Sequence, residues 1–286
     1  MDMTPRYLMC SLAALSAFAT PAYAQEEQGP PERPETVFDG DFLSIGIGAG
    51  IGPSYSGSDD YVVFPLPVVQ ASIGGIDINP RPAGLAVDFV PDAEEGVAFD
   101  FGIAGRVRSD RASQIEDPVV KSLGELDRAV EFGPTAGIKF PQLLNPYDSL
   151  TVSVDALWDV AGAHDGMTVS PRVTYFTPLS RGAAASLSVG ASFIDDDFAD
   201  YYYSVSPTQS VASGLPAFGA RGGLESIGTN LLLAFDLNGD VTDGGLSLVA
   251  IAGYSRLMGD AKRTPLTSER GSADQFLAGL GIGYTF

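Results

Sequence analysis

The chain is poor in cysteine, histidine, tryptophan and positive charge. Its 286 residues hold one Cys, one His and one Trp. The lone cysteine, Cys10, excludes an internal disulfide framework and a thiolate metal site. Lys and Arg number 16 against 36 Asp and Glu, a net charge of −20. Neutralising phosphates needs clustered Lys and Arg, so this balance excludes a nucleic-acid partner. Only 18% of residues are charged and 45% are hydrophobic, which excludes a disordered chain. No stretch is long and apolar enough for a membrane-spanning helix, and even Leu231–Leu237 is interrupted by Asp236. Phosphate-cradling glycine motifs are absent as well. Gly46, Gly48 and Gly50 repeat at every second residue, the spacing of a strand face and not of a phosphate turn.

The beginning of the chain reads as a secretory signal peptide over residues 1–24. Arg6 supplies the basic start, Leu8 to Ala19 the short apolar core, and Ala22-Tyr23-Ala24 the small-x-small cleavage site. Cleavage after Ala24 leaves Gln25 first. Met9 precedes Cys10 where a lipoprotein needs a small residue, so lipidation is rejected. Residues 25–40 are rich in Pro and Glu without periodicity and are expected to form a flexible periplasmic tail.

From Asp41 to Phe286 the pattern is alternation with a period of two. Val97, Phe99, Phe101, Ile103 and Val107 oppose Ala98, Asp100, Gly102, Ala104 and Arg106. Val152, Val154, Ala156 and Trp158 oppose Ser153, Asp155 and Asp159, and Leu187, Val189 and Phe193 oppose Ser186, Ser188 and Ser192. Strands are expected at 41–51, 61–71, 73–79, 83–90, 97–107, 129–140, 149–160, 167–177, 183–193, 223–237, 245–256 and 274–286. The third and fourth are short, so ten strands is the alternative. Short connections, the first around Ser72, alternate with long ones at 52–60, 108–128, 194–222 and 257–273. The connections at 80–82 and 161–166 are short exceptions. Short turns at one end and long loops at the other are the pattern of an all-β, antiparallel transmembrane barrel, whose even strand number returns both termini to the periplasm.

Aromatic residues mark the ends of the apolar faces. Trp158, Phe193 and Tyr254 fall at one level and Tyr175, Phe235 and Tyr284 at the other. From Phe276 to Phe286, at about 3.3 Å per residue and a tilt near 45°, the strand covers roughly 23 Å. That fits an apolar belt of about 25 Å between aromatic girdles. A soluble β-sandwich also alternates, but it does not need twelve strands with paired aromatic ends.

Three adjacent tyrosines, Tyr201, Tyr202 and Tyr203, lie in the long loop at 194–222. Successive strand residues face opposite ways, and a free loop does not carry three adjacent aromatics unless they bury against something. The loop is expected to fold into the mouth of the barrel as a constriction. Its tyrosines are expected to be packed and hydrogen-bonded near Arg256 and Asp260. The competing reading is an external aromatic surface.

Other constellations are weighed and set aside. Asp236-Leu237-Asn238-Gly239-Asp240 starts like a calcium loop, but Val241 stands where Gly is required and Ser247 where Glu is required. Asp195-Asp196-Asp197 with Asp200 is read as a solvated acidic loop. His164, the only histidine, adjoins Asp165 in an expected loop and has no Ser or carboxylate placed beside it by spacing. It is read as an exposed side chain. No catalytic, metal or cofactor residues are assigned.

Four blocks carry a family resemblance. They are Pro53-Ser54-Tyr55-Ser56-Gly57-Ser58-Asp59 with Pro65-Leu66-Pro67; Tyr201-Tyr202-Tyr203-Ser204-Val205-Ser206-Pro207 with Ser213-Gly214-Leu215-Pro216; Tyr254 to Ala261 with Pro265; and Gln275 to Phe286. In these blocks the chain resembles the MipA/OmpV family, the MltA-interacting proteins of Gram-negative outer membranes. The resemblance implies a barrel in the cell outer membrane, in contact with its lipid and lipopolysaccharide. It further implies a non-enzymatic scaffold for a lytic transglycosylase and a peptidoglycan synthase. Porin-like members leave a small-solute, cation-preferring channel or uptake protein as the alternative. It also implies that Phe286, at the end of the last strand, is the folding signal read by the assembly machinery.

The cleavage site gives the first test. Replacing Ala24 with Leu is expected to leave an unprocessed precursor, because the peptidase accepts only small side chains there. Terminal sequencing of wild-type protein is expected to begin at Gln25; a start elsewhere overturns the assignment.

Overall fold

The computed structural model describes residues 35–91 and 96–286. The expected signal peptide, with Ala22 and Ala24, and residues 25–34 of the expected tail lie outside the described residues. The end of that expected tail is structured. Thr36 and Asp39 form a capping box around a 3-10 turn at Val37–Asp39, and the Val37 N–H donates to the Thr242 carbonyl at 2.8 Å. Phe38 stacks edge-on against Phe42. These contacts fix residues 36–39, which unlike the Pro/Glu-rich stretch before them carry Val37 and Phe38 and no proline.

The strands are β1 (Phe42–Pro53), β2 (Tyr61–Ile73), β3 (Ile76–Arg81), β4 (Gly84–Asp88), β5 (Ala98–Arg108) and β6 (Ala129–Pro141). They continue with β7 (Ser149–Asp159), β8 (Met167–Ser180), β9 (Ala183–Ile194), β10 (Gly223–Asp236), β11 (Gly245–Leu257) and β12 (Asp274–Thr285). Each pairs antiparallel with its sequence neighbours, and β1 pairs with β12, so the sheet closes. The barrel has twelve strands, not ten. The β2–β3 hairpin turns at Gly74 and Gly75, slightly beyond Ser72. Both have φ near the left-handed region, at 59° and 80°, where glycine carries no Cβ penalty.

Alternation sorts the two faces of the wall. Leu187, Val189, Ile282 and Val154 are exposed on the outer surface, and Ile47 and Phe99 are more so. An apolar sheet face exposed all round a closed barrel is a lipid-facing belt. Asp155, one residue from Val154, is instead buried in the lumen, ion-paired with Arg81 on β3 and Arg172 on β8.

The lumen wall itself has two halves. On β5 to β8 the inward positions include the ionisable Arg106, Arg108, Glu131, Asp155 and Arg172 among small residues. On β10, β11, β12, β1 and β2 they are mostly glycine and aliphatic. The register sets Gly46 opposite Gly283, Gly48 opposite Gly281 and Gly50 opposite Gly279. A Cβ at Gly48 would stand 2.8 Å from the Gly281 Cα, so the glycines permit close approach at the closing seam. Gly50 lies beneath the Phe64 ring and the Leu66 side chain.

The two-faced wall sets a substitution test. Val189→Arg is expected to cost about 2–4 kcal/mol near the bilayer midplane, and Ser188→Arg much less. Unfolding titrations in lipid vesicles read the difference; equal costs would mean the assigned faces are wrong.

Candidate functional site: the capped mouth

The long loops stand at the end of the barrel that is extracellular in outer-membrane barrels. They carry five short helices: α1 (Pro118–Lys121), α2 (Asp196–Tyr203), α3 (Pro207–Ser213), α4 (Gly259–Arg263) and α5 (Pro265–Ser268). The acidic run that reads as a solvated loop starts α2. Asp195 is its N-cap, accepting from the Phe198 N–H at 3.0 Å and from the Met167 N–H at 2.8 Å. Asp196 accepts from the Gly222 N–H. Carboxylates at a helix N-terminus satisfy free N–H groups and oppose the helix dipole. Asp236 does similar work in its turn, accepting from the N–H groups of Asn238, Gly239 and Asp240. α3 begins with a Ser206–Gln209 capping box and Pro207, and ends at Gly214, whose φ is 76°.

α2 buries one face. Phe198, Ala199, Tyr202 and Tyr203 are all at most 2% exposed, and they pack with Ile194, Ala220, Leu257 and Ala261. A second cluster joins Tyr55, Val120, Val205, Leu215 and Leu266 from four separate loop regions. Arg270 Nε donates to Asp117 at 3.0 Å and ties the last long loop to α1. The loops therefore share cores with one another and form a cap.

Beneath α2 lies a charged floor. Glu131 on β6 is fully buried. It accepts from Arg108 Nε at 2.7 Å and from Arg106 Nε, both on β5. His164 is also buried, 4% exposed, and not the exposed loop residue its sequence position suggests. The Gly166 N–H donates to its Nδ1 at 3.0 Å, so the ring proton sits on Nε2, which faces Glu131 Oε1 at 3.3 Å. Phe198 packs edge-on against this imidazole, with ring centroids 4.9 Å apart. The Arg108 guanidinium lies 4.7 Å from the Phe198 centroid and 5.7 Å from that of Tyr202, within cation–π range. Both ring nitrogens of His164 are thus engaged by a backbone N–H and a carboxylate held by two arginines. Deeper in the lumen, Asp155 accepts from Arg81 Nε at 3.0 Å and from the Thr135 hydroxyl at 2.6 Å.

The three tyrosines separate by role. The Tyr201 hydroxyl accepts from the Asp127 N–H at 2.9 Å. Tyr202 is buried over Arg108, and its hydroxyl has no hydrogen-bond partner among the described residues. The Tyr203 hydroxyl donates to Glu225 Oε1 at 2.7 Å, and the Ser192 hydroxyl donates to the other oxygen at 2.6 Å. Burial pushes the Tyr203 hydroxyl well above its ordinary value, and the Glu225 charge adds to the shift. A pKa raised on folding makes this contribution complete below about pH 10, the ordinary tyrosine value, and lost above it.

The expected neighbours of the tyrosines are replaced by others. Arg256 stands on the outward face of β11, where Nη1 donates to Asp274 at 2.7 Å. Its position in the alternation turns it away from the lumen. Asp260, on α4, accepts from the Arg221 N–H at 2.9 Å and pairs with Arg263. That pairing with Arg263 holds its carboxyl below the usual range. The side chains that meet the tyrosines include Arg108, Arg111, His164 and Glu225, with Glu131 beneath. Arg106, Arg108 and Glu131 occupy inward positions of the alternation, a signal available in the sequence but carrying no indication of what covers them.

The sequence profile described as MltA-interacting protein MipA matches residues 45–286. The chain belongs to the MipA family. No curated protein matches it by sequence. Among solved structures, an outer membrane channel from Pseudomonas putida F1 is similar at 15% identity and a TM-score of 0.44, over 91% of this chain and 100% of that one. The toluene transporter TodX of Pseudomonas putida is similar at 10% identity and a TM-score of 0.38, over 86% and 89%. These two likenesses are too distant to carry an argument. The MipA family and the closed, apolar-belted barrel place the chain in the Gram-negative outer membrane.

The cap distinguishes its tyrosines by experiment. Tyr203→Phe leaves the buried Glu225 short of a donor and is expected to cost about 1.5–3 kcal/mol. Tyr202→Phe removes a hydroxyl that bonds to nothing and is expected to be neutral or stabilising. Thermal unfolding followed by the heat-modified shift on gels compares them; equal losses would refute the assignment of roles.

Proposed function

We propose that this MipA-family barrel is a non-enzymatic outer-membrane scaffold that holds murein-processing enzymes at its periplasmic face. The observation that carries this reading is the cap. α2 is buried in the mouth over the Glu131 ion cluster, and the loops around it share cores. A barrel built for free diffusion leaves its mouth open. The family's description as MltA-interacting supports a lytic transglycosylase as one partner, and a peptidoglycan synthase is the second partner of this reading. The apolar belt supports contact with outer-membrane lipid, and the acidic loops support ion-bridged contact with lipopolysaccharide. Tyr201, Tyr202 and Tyr203 act in this reading as the constriction, while Arg256 and Asp260 only brace its surroundings.

A second reading, a small cation-preferring channel or uptake protein, is favoured by one observation. Leu232 faces the lumen yet is 38% exposed, so space remains below the cap.

Planar-bilayer recording combined with capture on immobilised barrel tests both readings. The scaffold reading expects silent or very small conductance and retention of a lytic transglycosylase and a peptidoglycan synthase. Deleting 198–214 is expected to raise the conductance. Open-porin steps from the intact protein, with neither enzyme retained, would overturn the proposal.

A further inference from the structure

The twelve ladders of the barrel are unequal. β2 pairs with β1 from Tyr61 to Ser72, along nearly its whole length. Its ladder to β3 is confined to Ala71–Ile78, Ser72–Asp77 and Ile73–Ile76. Among the described residues, 61–70 thus have a strand on one edge and none on the other. This free edge lies within the apolar belt. Pro67 is opposite Ile47, which is 66% exposed and itself opposite Ile282.

An open sheet edge does not stand bare in hydrocarbon; it lines a cavity or is covered. The stretch carries Pro65 and Pro67, and the facing hairpin carries Pro80 and Pro82. Proline has no N–H to donate, and prolines on an edge block the addition of a further strand. That argues against a second chain extending the sheet.

On the β2 side of the slot the lumen wall is apolar. Phe64, Leu66 and Val68 face inward opposite Gly50, Gly48 and Gly46. Leu66 also reaches over Gly279 on β12, where its Cδ1 would lie 2.6 Å from an added Cβ, so these glycines make room for the two large side chains. Val68 is 44% exposed although it faces the lumen, which leaves open space beside it. The charged half of the wall reaches the facing hairpin, where Arg81 on β3 pairs with Asp155, so the apolar strip belongs to the β2 side of the slot. An apolar strip of lumen therefore runs to a gap at the depth of the lipid tails, while the cap closes the axial route above it.

We propose that the slot between β2 and the β3–β4 hairpin admits the acyl chain of a membrane lipid onto the Phe64–Leu66–Val68 strip. The site takes hydrocarbon, and its source is the surrounding bilayer. It goes beyond the scaffold reading and does not depend on it.

Trp158 is the only tryptophan and sits in the lipid-facing belt. In a Trp158→Phe background, Phe64→Trp and Leu66→Trp each report from the strip, and Ser188→Trp reports from the polar lumen wall. All are folded into phosphatidylcholine vesicles with brominated acyl chains, and heat-shifted gel migration confirms folding. The two slot reporters are expected to lose at least half of their emission, approaching the loss of Trp158 in wild type, while Ser188→Trp keeps most of its own. Slot reporters quenched no more than Ser188→Trp would overturn the proposal. So would slot reporters quenched by aqueous acrylamide but not by brominated lipid, since the slot would then be a water path. Using two positions keeps the test decisive if one variant fails to fold.

Discussion

A bilayer interior offers no hydrogen bond to a backbone N–H or C=O, and the architecture of this barrel follows from that constraint. Twelve strands close on themselves so that nearly every ladder has a partner on both sides. Closure forces the outer face to be apolar and sends polar side chains inward. The seam between β1 and β12 closes tightly because glycines face each other across it. The shortest ladder among the described residues, the three residue pairs between β2 and β3, lies beside prolines that remove backbone donors. Fewer unpaired N–H groups remain there for the bilayer to penalise.

Charges sent inward need partners. Glu131 alone in the lumen would be strongly destabilising, and breaking such a buried pair typically costs about 3–5 kcal/mol. Arg106, Arg108 and His164 converge on it. Phe198 and Tyr202 then lie over Arg108 and His164, so the charged floor and the aromatic cap depend on each other. Water excluded by the cap makes the ion pairs stronger, and the fixed guanidinium gives the aromatic faces a partner. The cap is consequently continuous with the barrel interior and is not a loose covering of loops.

The strands were legible in the sequence with their boundaries displaced by only a few residues. In a barrel wall each residue sees either lipid or lumen, so the environment repeats every two residues along the chain itself. Val154 and Asp155 are adjacent and opposite in both pattern and place. Burial of the tyrosine loop was legible for a related reason: three adjacent aromatics have no stable exposed arrangement. Their partners were not. Arg256 and Arg108 are both arginines near strand ends, and only the phase of the alternation at that height separates an outward Arg256 from an inward Arg108. His164 gave no sign of burial, because a single residue in a short loop has no periodicity.

Alternation, aromatic ends and glycine spacing, all local properties of the chain, determined the barrel, its belt and its closing seam. The tertiary structure decided what meets across the mouth. Tyr55, Val120, Val205 and Leu266 share one cluster although long stretches of sequence separate them, and Glu131 meets His164 across a strand and a turn. It also decided that β2 and β3 diverge after three residue pairs. Such contacts depend on the stagger and tilt with which the sheet closes, and these are settled by all twelve strands together. No segment of sequence carries that information by itself, so the wall was readable residue by residue and the cap and the slot were not.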